Sequence, residues 1–113
     1  MAYYAILTEH GEERFAQAAL TGEQVGFAEM AVGDGAGAEI VPTREFTGLV
    51  NELYRAPLNR VVIADQAKNV IRTEMIMLPE VGGFWLREAA LYDDDGVCLA
   101  IASIPPSYKP LLN

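Results

Sequence analysis

His10 and Cys98 are the only histidine and the only cysteine of the chain, so the usual nucleophilic and metal chemistries have little to build on. A Ser-His-Asp triad would rest on His10 alone, with no nearby constellation to activate it. Gly-x-Ser-x-Gly and His-Glu-x-x-His are both absent. One His with one Cys cannot hold zinc without importing carboxylates, and one Cys excludes an intramolecular disulfide. Cys98 lies in an apolar run and reads as a small buried hydrophobe. Gly33-Asp34-Gly35-Ala36-Gly37 invites a phosphate-loop reading, but Pro42 follows, no helix opens at the glycines and the Lys-Ser/Thr pair is missing; a flexible surface turn is expected. Asp93-Asp94-Asp95-Gly96 resembles part of a calcium loop, yet aligning Gly96 with that loop's glycine puts Leu91 and Ala102 at ligand positions. Glu74 and Glu88 form a conceivable glycosidase pair with no aromatic platform beside it. No cofactor and no metal are expected.

These residues are positioned by a strand and its turn. Read as a strand, Phe84 to Tyr92 puts Phe84, Leu86, Glu88, Ala90 and Tyr92 on one face and Trp85, Arg87, Ala89 and Leu91 on the other. Asp93 to Gly96 breaks the run, and Val97 to Ile104 supplies a second apolar strand, which makes a β-hairpin. Ile101 and Ser103, with Val97 and Leu99, should share the Phe84/Tyr92 face. Both faces are mostly apolar, so the hairpin should be central in a sheet and covered on both sides. Arg87 and Glu88, as neighbours, point to opposite faces. Trp85 is expected in the core, where truncation to Ala would cost about 3–5 kcal/mol.

Around this hairpin, Tyr3 to Leu7 reads as a strand and Thr8 as the N-cap of a helix over 9–20, with Phe15, Ala16, Ala19 and Leu20 as its apolar stripe. Val25 to Val32 reads as a buried strand. Phe46, Leu49, Val50 and Leu53 follow helical spacing and predict a second helix over 44–54. Asn59 to Ala64 and Val70 to Leu78 predict another hairpin, while Pro105 to Pro110 should be extended, polyproline-like and unable to continue a strand. The expected fold is α+β: one domain over 1–113, with an antiparallel sheet of about five strands and two covering helices.

With 16 acidic against eight basic residues the chain carries a formal charge of -8, which repels phosphate backbones. Nucleic acid is not an expected partner. No apolar run approaches the roughly 18 residues of a membrane span, and the start lacks a basic segment before an apolar one; no membrane association and a soluble, cytoplasmic synthesis are expected.

Several blocks recur together: Met30-Ala-Val-Gly-Asp-Gly35, Leu49-Val-Asn-Glu52 running through Tyr54-Arg55 to Leu58-Asn-Arg60, Gly82-Gly-Phe-Trp-Leu-Arg-Glu88, Leu91-Tyr-Asp93 with Gly96, and Pro106-Ser-Tyr-Lys-Pro110. In order and spacing they resemble the N-terminal domain of tail fibre (tail-collar fibre) proteins of contractile-tailed bacteriophages and phage-tail-like bacteriocins. The resemblance departs at Ala89-Ala90, where the family commonly places a small or β-branched residue and then Gly. It implies a non-enzymatic component of the virion tail, made in the bacterial host cytoplasm, that anchors a fibre to a baseplate protein while distal parts recognise the host. It also implies a homotrimer in the full fibre; the 113-residue domain alone is expected to be mainly monomeric. Gly82, Gly83, Phe84, Trp85, Arg87, Glu88, Tyr108, Lys109 and Pro110 are the candidate docking or structural residues. The alternative reading is a small prophage-encoded enzyme or ligand-binding domain.

Overall fold

The computed structural model describes residues 5–22, 26–58, 60–65, 70–74, 77 and 80–111. In chain order they form β1 (Ala5–Leu7), α1 (Glu9–Thr21), β2 (Glu29–Gly33), a single 3-10 turn (Gly35–Gly37), β3 (Glu52–Pro57), β4 (Arg60–Asp65), β5 (Val70–Glu74), β6 (Phe84–Tyr92) and β7 (Cys98–Lys109). Five strands make an antiparallel sheet in the order β1-β7-β6-β2-β3, and β4 pairs with β5 in a separate two-stranded sheet. The α+β class, the five-stranded antiparallel sheet and the central β6–β7 hairpin are as the sequence predicts.

β6 alternates as expected, and one of its faces is the core. Ala90, Tyr92, Cys98 and Ile101 join Ala31 of β2, with Ile40, Phe46 and Leu49 packed against them. Ile101 sits opposite Ala90 and Ser103 opposite Glu88, while a bulge beside Tyr92 brings Cys98 opposite that ring. Cys98 is buried, as predicted. Burial pushes the Tyr92 phenol up to about 12 and the Cys98 thiol up to about 11. Both groups are neutral below their ordinary values, so their contribution to stability is complete below about pH 9 and is lost as pH rises through the folded-state values. Alkaline titration followed by circular dichroism should show stability falling from about pH 9, and Cys98→Ala should delay the fall toward pH 10, where Tyr92 alone governs it. An onset unchanged by Cys98→Ala would remove the thiol from this account.

α1 forms where the capping signal places it. The Thr8 side chain accepts from the Gly11 N–H at 3.0 Å and donates to the Cys98 carbonyl at 2.6 Å, so the cap also fastens the helix to β7. Gly22 closes the helix in a left-handed conformation. Phe15 meets Phe27 at 6.0 Å, but Leu20, expected in the apolar stripe, is exposed.

Three other expectations are corrected. No helix forms over 44–54: the segment is turns and bends up to β3, and Phe46 and Leu49 reach the core from an irregular path. Helical spacing put the right side chains inward, but the Val50 and Asn51 N–H groups are taken by the Glu88 carboxylate and not by a helical ladder. β2 begins at Glu29, with residues 26–28 outside any regular element. The Pro105–Pro110 segment does continue a strand: β7 runs to Lys109 because Ile104, Pro105 and Pro106 stand opposite Arg87 alone, and pairing resumes at Leu86–Ser107. A bulge needs no N–H from its extra residues, which is where proline is tolerated. The predicted second hairpin forms as β4–β5, in a two-stranded sheet of its own; the part of it expected at 75, 76 and 78 lies outside the described residues. Among the described residues, no helix is long and apolar enough to cross a membrane.

Candidate docking surface

The ends of β6 and β7 bring the Gly-Gly-Phe-Trp and Tyr-Lys-Pro blocks into one place. Phe84 pairs with Lys109 and Trp85 with Tyr108. The Gly83 N–H donates to the Lys109 carbonyl at 2.7 Å, and Lys109 Nζ donates to the carbonyls of Val81 at 2.7 Å and Pro110 at 3.0 Å. A Cβ on Gly82 would overlap the Pro110 carbonyl oxygen, so only glycine lets the two segments close on each other there.

Trp85 is not in the core. It is 46% exposed, and Tyr108 beside it is 53% exposed. The strand alternation is as predicted; what fails is the assumption that the Trp85 face is covered. The two rings meet edge to face with centroids 5.5 Å apart. The Arg87 guanidinium lies 5.7 Å from the Trp85 ring centroid and donates to the Asp34 carbonyl at 3.1 Å, which fixes its direction. A Trp-Tyr-Arg group in mutual contact on an open sheet face has the composition of an interface anchor. Truncating a half-exposed Trp forfeits part of its burial and one ring contact, so Trp85→Ala should cost about 1–2 kcal/mol in a denaturant melt, below the core value. A loss of 3 kcal/mol or more would return Trp85 to a core role.

Glu88, next along the strand, points the other way and is fully buried. Its carboxylate accepts the N–H groups of Gly35 at 2.8 Å, Val50 at 2.8 Å and Asn51 at 2.9 Å. Arg87 and Glu88 therefore do not pair with each other: Arg87 meets the Asp34 carbonyl and Glu88 the three N–H groups. Asp34 accepts from the Asn51 side-chain amide at 2.8 Å and the Ala36 N–H at 2.9 Å, and these bonds hold its carboxyl below the ordinary value. Three blocks far apart in sequence, at 33–35, 50–51 and 87–88, thus meet in one hydrogen-bonded clasp. The glycine segment is fastened by it, with Gly33 and Gly35 buried, and is not the loose surface turn expected.

The chemistry-bearing residues scatter elsewhere. His10 is on the exposed side of α1, 4.0 Å from Glu13. The Asp93–Asp95 turn is closed by its own chain, since Asp93 accepts the Asp95 and Val97 N–H groups at 2.9 Å and pairs with Arg14 at 3.2 Å. Among the described residues no group of three or more His, Cys, Asp or Glu side chains could hold a metal ion. Sequence reasoning missed Asp34 and Asn51 as clasp residues, although both stand inside blocks it had singled out.

A family model for the phage tail-collar fibre protein N-terminal domain matches residues 1–113. A probable tail fiber protein of Escherichia phage P2 is 42% identical over 111 residues, which is 97% of this chain and 17% of that protein. The chain thus spans about a sixth of the length of that curated relative. No solved structure matches it. With the Gly-Gly-Phe-Trp, Arg-Glu and Tyr-Lys-Pro blocks joined in one paired strand end, the chain belongs to the phage tail-collar fibre family, as the N-terminal domain of a structural virion tail protein.

Proposed function

We propose that this domain attaches a tail fibre to a baseplate protein through the surface of Trp85, Tyr108 and Arg87, with host recognition carried by distal parts of the fibre. The observation that supports it is the half-exposed Trp85, in contact with Tyr108 and Arg87 on the otherwise apolar, uncovered face of the central strand. An anchor ordered before binding loses little side-chain entropy on docking. The domain acts without catalysis in this reading. The hollow on the same face is lined by apolar side chains, and the raised Tyr92 and Cys98 values come from core burial, so neither supplies the polar pocket an enzyme reading would draw on. Several copies on one fibre would bind a multi-site baseplate more tightly than one copy, because linked copies rebind at high effective concentration.

Binding of the chain to the baseplate proteins encoded beside its gene tests the proposal. Trp85→Ala and Arg87→Ala should each weaken binding by about tenfold or more, as hot-spot truncations do. Leu20→Ala, on an exposed helix position, is the control and should leave affinity unchanged. Equal affinities across all three variants would overturn the assignment of this surface.

A further inference from the structure

The face that carries Trp85 continues past it into a shallow groove of about 150 Å³ lined by Ala5, Met30, Ala89, Leu91, Ala100 and Ala102, with Ala90 and Ile101 completing the lining. It spans β1, β7, β6 and β2, and alanine provides most of its lining. Such a surface lacks volume: it is apolar yet carries few atoms that reach outward, and an apolar sheet face is ordinarily covered.

The chain also holds a segment with the opposite problem. Among the described residues β4 and β5 pair with each other and with no other strand, and an isolated two-stranded hairpin is marginal in water. Its strands read Arg-Val-Val-Ile-Ala-Asp and Val-Ile-Arg-Thr-Glu, rich in branched apolar side chains. Among the described residues, the contacts of these strands are chiefly with each other and not with the main sheet. The hairpin leaves the sheet from β3, at the edge opposite β1. Charge separates the two parts further. Residues 58–81 contain three basic and three acidic side chains, so the formal charge of -8 belongs entirely to the rest of the chain. This neutral arm can approach another acidic copy without adding to the repulsion between them.

We propose that the β4–β5 hairpin of one copy lies across the alanine-lined groove of a second copy. The branched residues in the arm's sequence supply the volume that the alanine lining lacks, the complementarity by which layers interdigitate. Each copy both gives an arm and receives one, so the exchange closes without leaving an open groove. A single hairpin on one face is a small contact, consistent with a mainly monomeric isolated domain. It fills when copies are held together and their effective concentration rises. The inference stands apart from the docking role of Trp85, which does not line the groove.

Disulfide trapping tests it, using the whole chain with a trimerising coiled coil after Asn113 and Cys98→Ala to remove the native thiol. One set of subunits carries Val61→Cys or Val62→Cys, which cover both faces of the strand; the other carries Ala89→Cys or Ala102→Cys, a small change in an open groove that circular dichroism can check for folding. When the two sets are co-assembled and oxidised, an arm-to-groove disulfide between different chains is expected, at least tenfold more abundant than with Leu20→Cys in place of the groove cysteine. Chains carrying both an arm and a groove cysteine distinguish the remaining cases. A disulfide formed only within one chain places the arm on its own sheet and overturns the proposal, and so does the absence of any arm-to-groove disulfide. Trp85→Ala should leave the trapping unchanged, so a failure of the docking reading and a failure of this one are separable.

Discussion

Glu88→Ala is expected to remove about 3–5 kcal/mol of stability, which would bring a domain of this size to the edge of folding. The fully buried carboxylate is the acceptor for three backbone N–H groups from two different loops. Alanine would strand all three, and each unpaired buried donor costs about 1–3 kcal/mol, reduced where water can enter. Glu88→Gln keeps the shape and one acceptor oxygen but turns an amide NH2 toward N–H donors, so it should lose about 2–3 kcal/mol. Urea denaturation measures both. Amide exchange adds a local signature, because Gly35, Val50 and Asn51 should lose protection well before the β6–β7 ladder does. If Glu88→Ala cost less than about 1 kcal/mol, the 34–51 region would have to be held by the packing of Ile40, Phe46 and Leu49 alone.

The clasp also shows how far the sequence could be read. Strand alternation placed Glu88 and Arg87 on opposite faces and put Ala90, Tyr92 and Ile101 together, because the period of two survives any even error in register. The fate of Glu88 was beyond that pattern, since its partners are backbone groups of residues 37 to 53 positions away, and N–H groups have no sequence signature. The same blindness produced the false helix over 44–54. Phe46 and Leu49 do share a face as predicted, but a loop pulled inward by a carboxylate can present them as well as a helix can. Apolar spacing reports which side chains are buried and not how the backbone between them is satisfied.

Trp85 and the prolines depart from the sequence pattern for a related reason. An apolar residue on a strand face is inside only if something covers that face, and cover is a property of the whole fold. Pro105 and Pro106 predict the end of a strand because proline cannot donate to a ladder. The bulge opposite Arg87 removes that demand for these residues, and Ser107 to Lys109 rejoin the sheet beyond it. The co-location of Trp85 with Tyr108 was therefore legible only as two blocks of a resembled family, and not as a pair in space.

Gly11→Ala should destabilise the domain by about 2–3 kcal/mol, against the direction that helix propensity alone gives. Gly11 sits inside α1, where alanine is ordinarily better by about 0.5–1 kcal/mol. Here the added Cβ would overlap the Leu99 carbonyl oxygen and lie 2.9 Å from its carbon, a backbone group with no rotamer to turn away. The helix could escape only by backing off β7. That movement would stretch the Thr8 N–H bond to the Leu99 carbonyl at 3.0 Å and the Thr8 hydroxyl bond to the Cys98 carbonyl at 2.6 Å, so the cap and the clash are one mechanical unit. Since a kilocalorie shifts the melting point of a domain this size by about 4–8 °C, the midpoint should fall by roughly 10–20 °C. Gly22→Ala is the matched control: its glycine is left-handed with open space around it, so the loss there should be confined to the conformational cost of about 1 kcal/mol. A Gly11→Ala protein as stable as the parent would mean that α1 tolerates a wider seat on β7, and that the Thr8 cap does not depend on the close approach at Leu99.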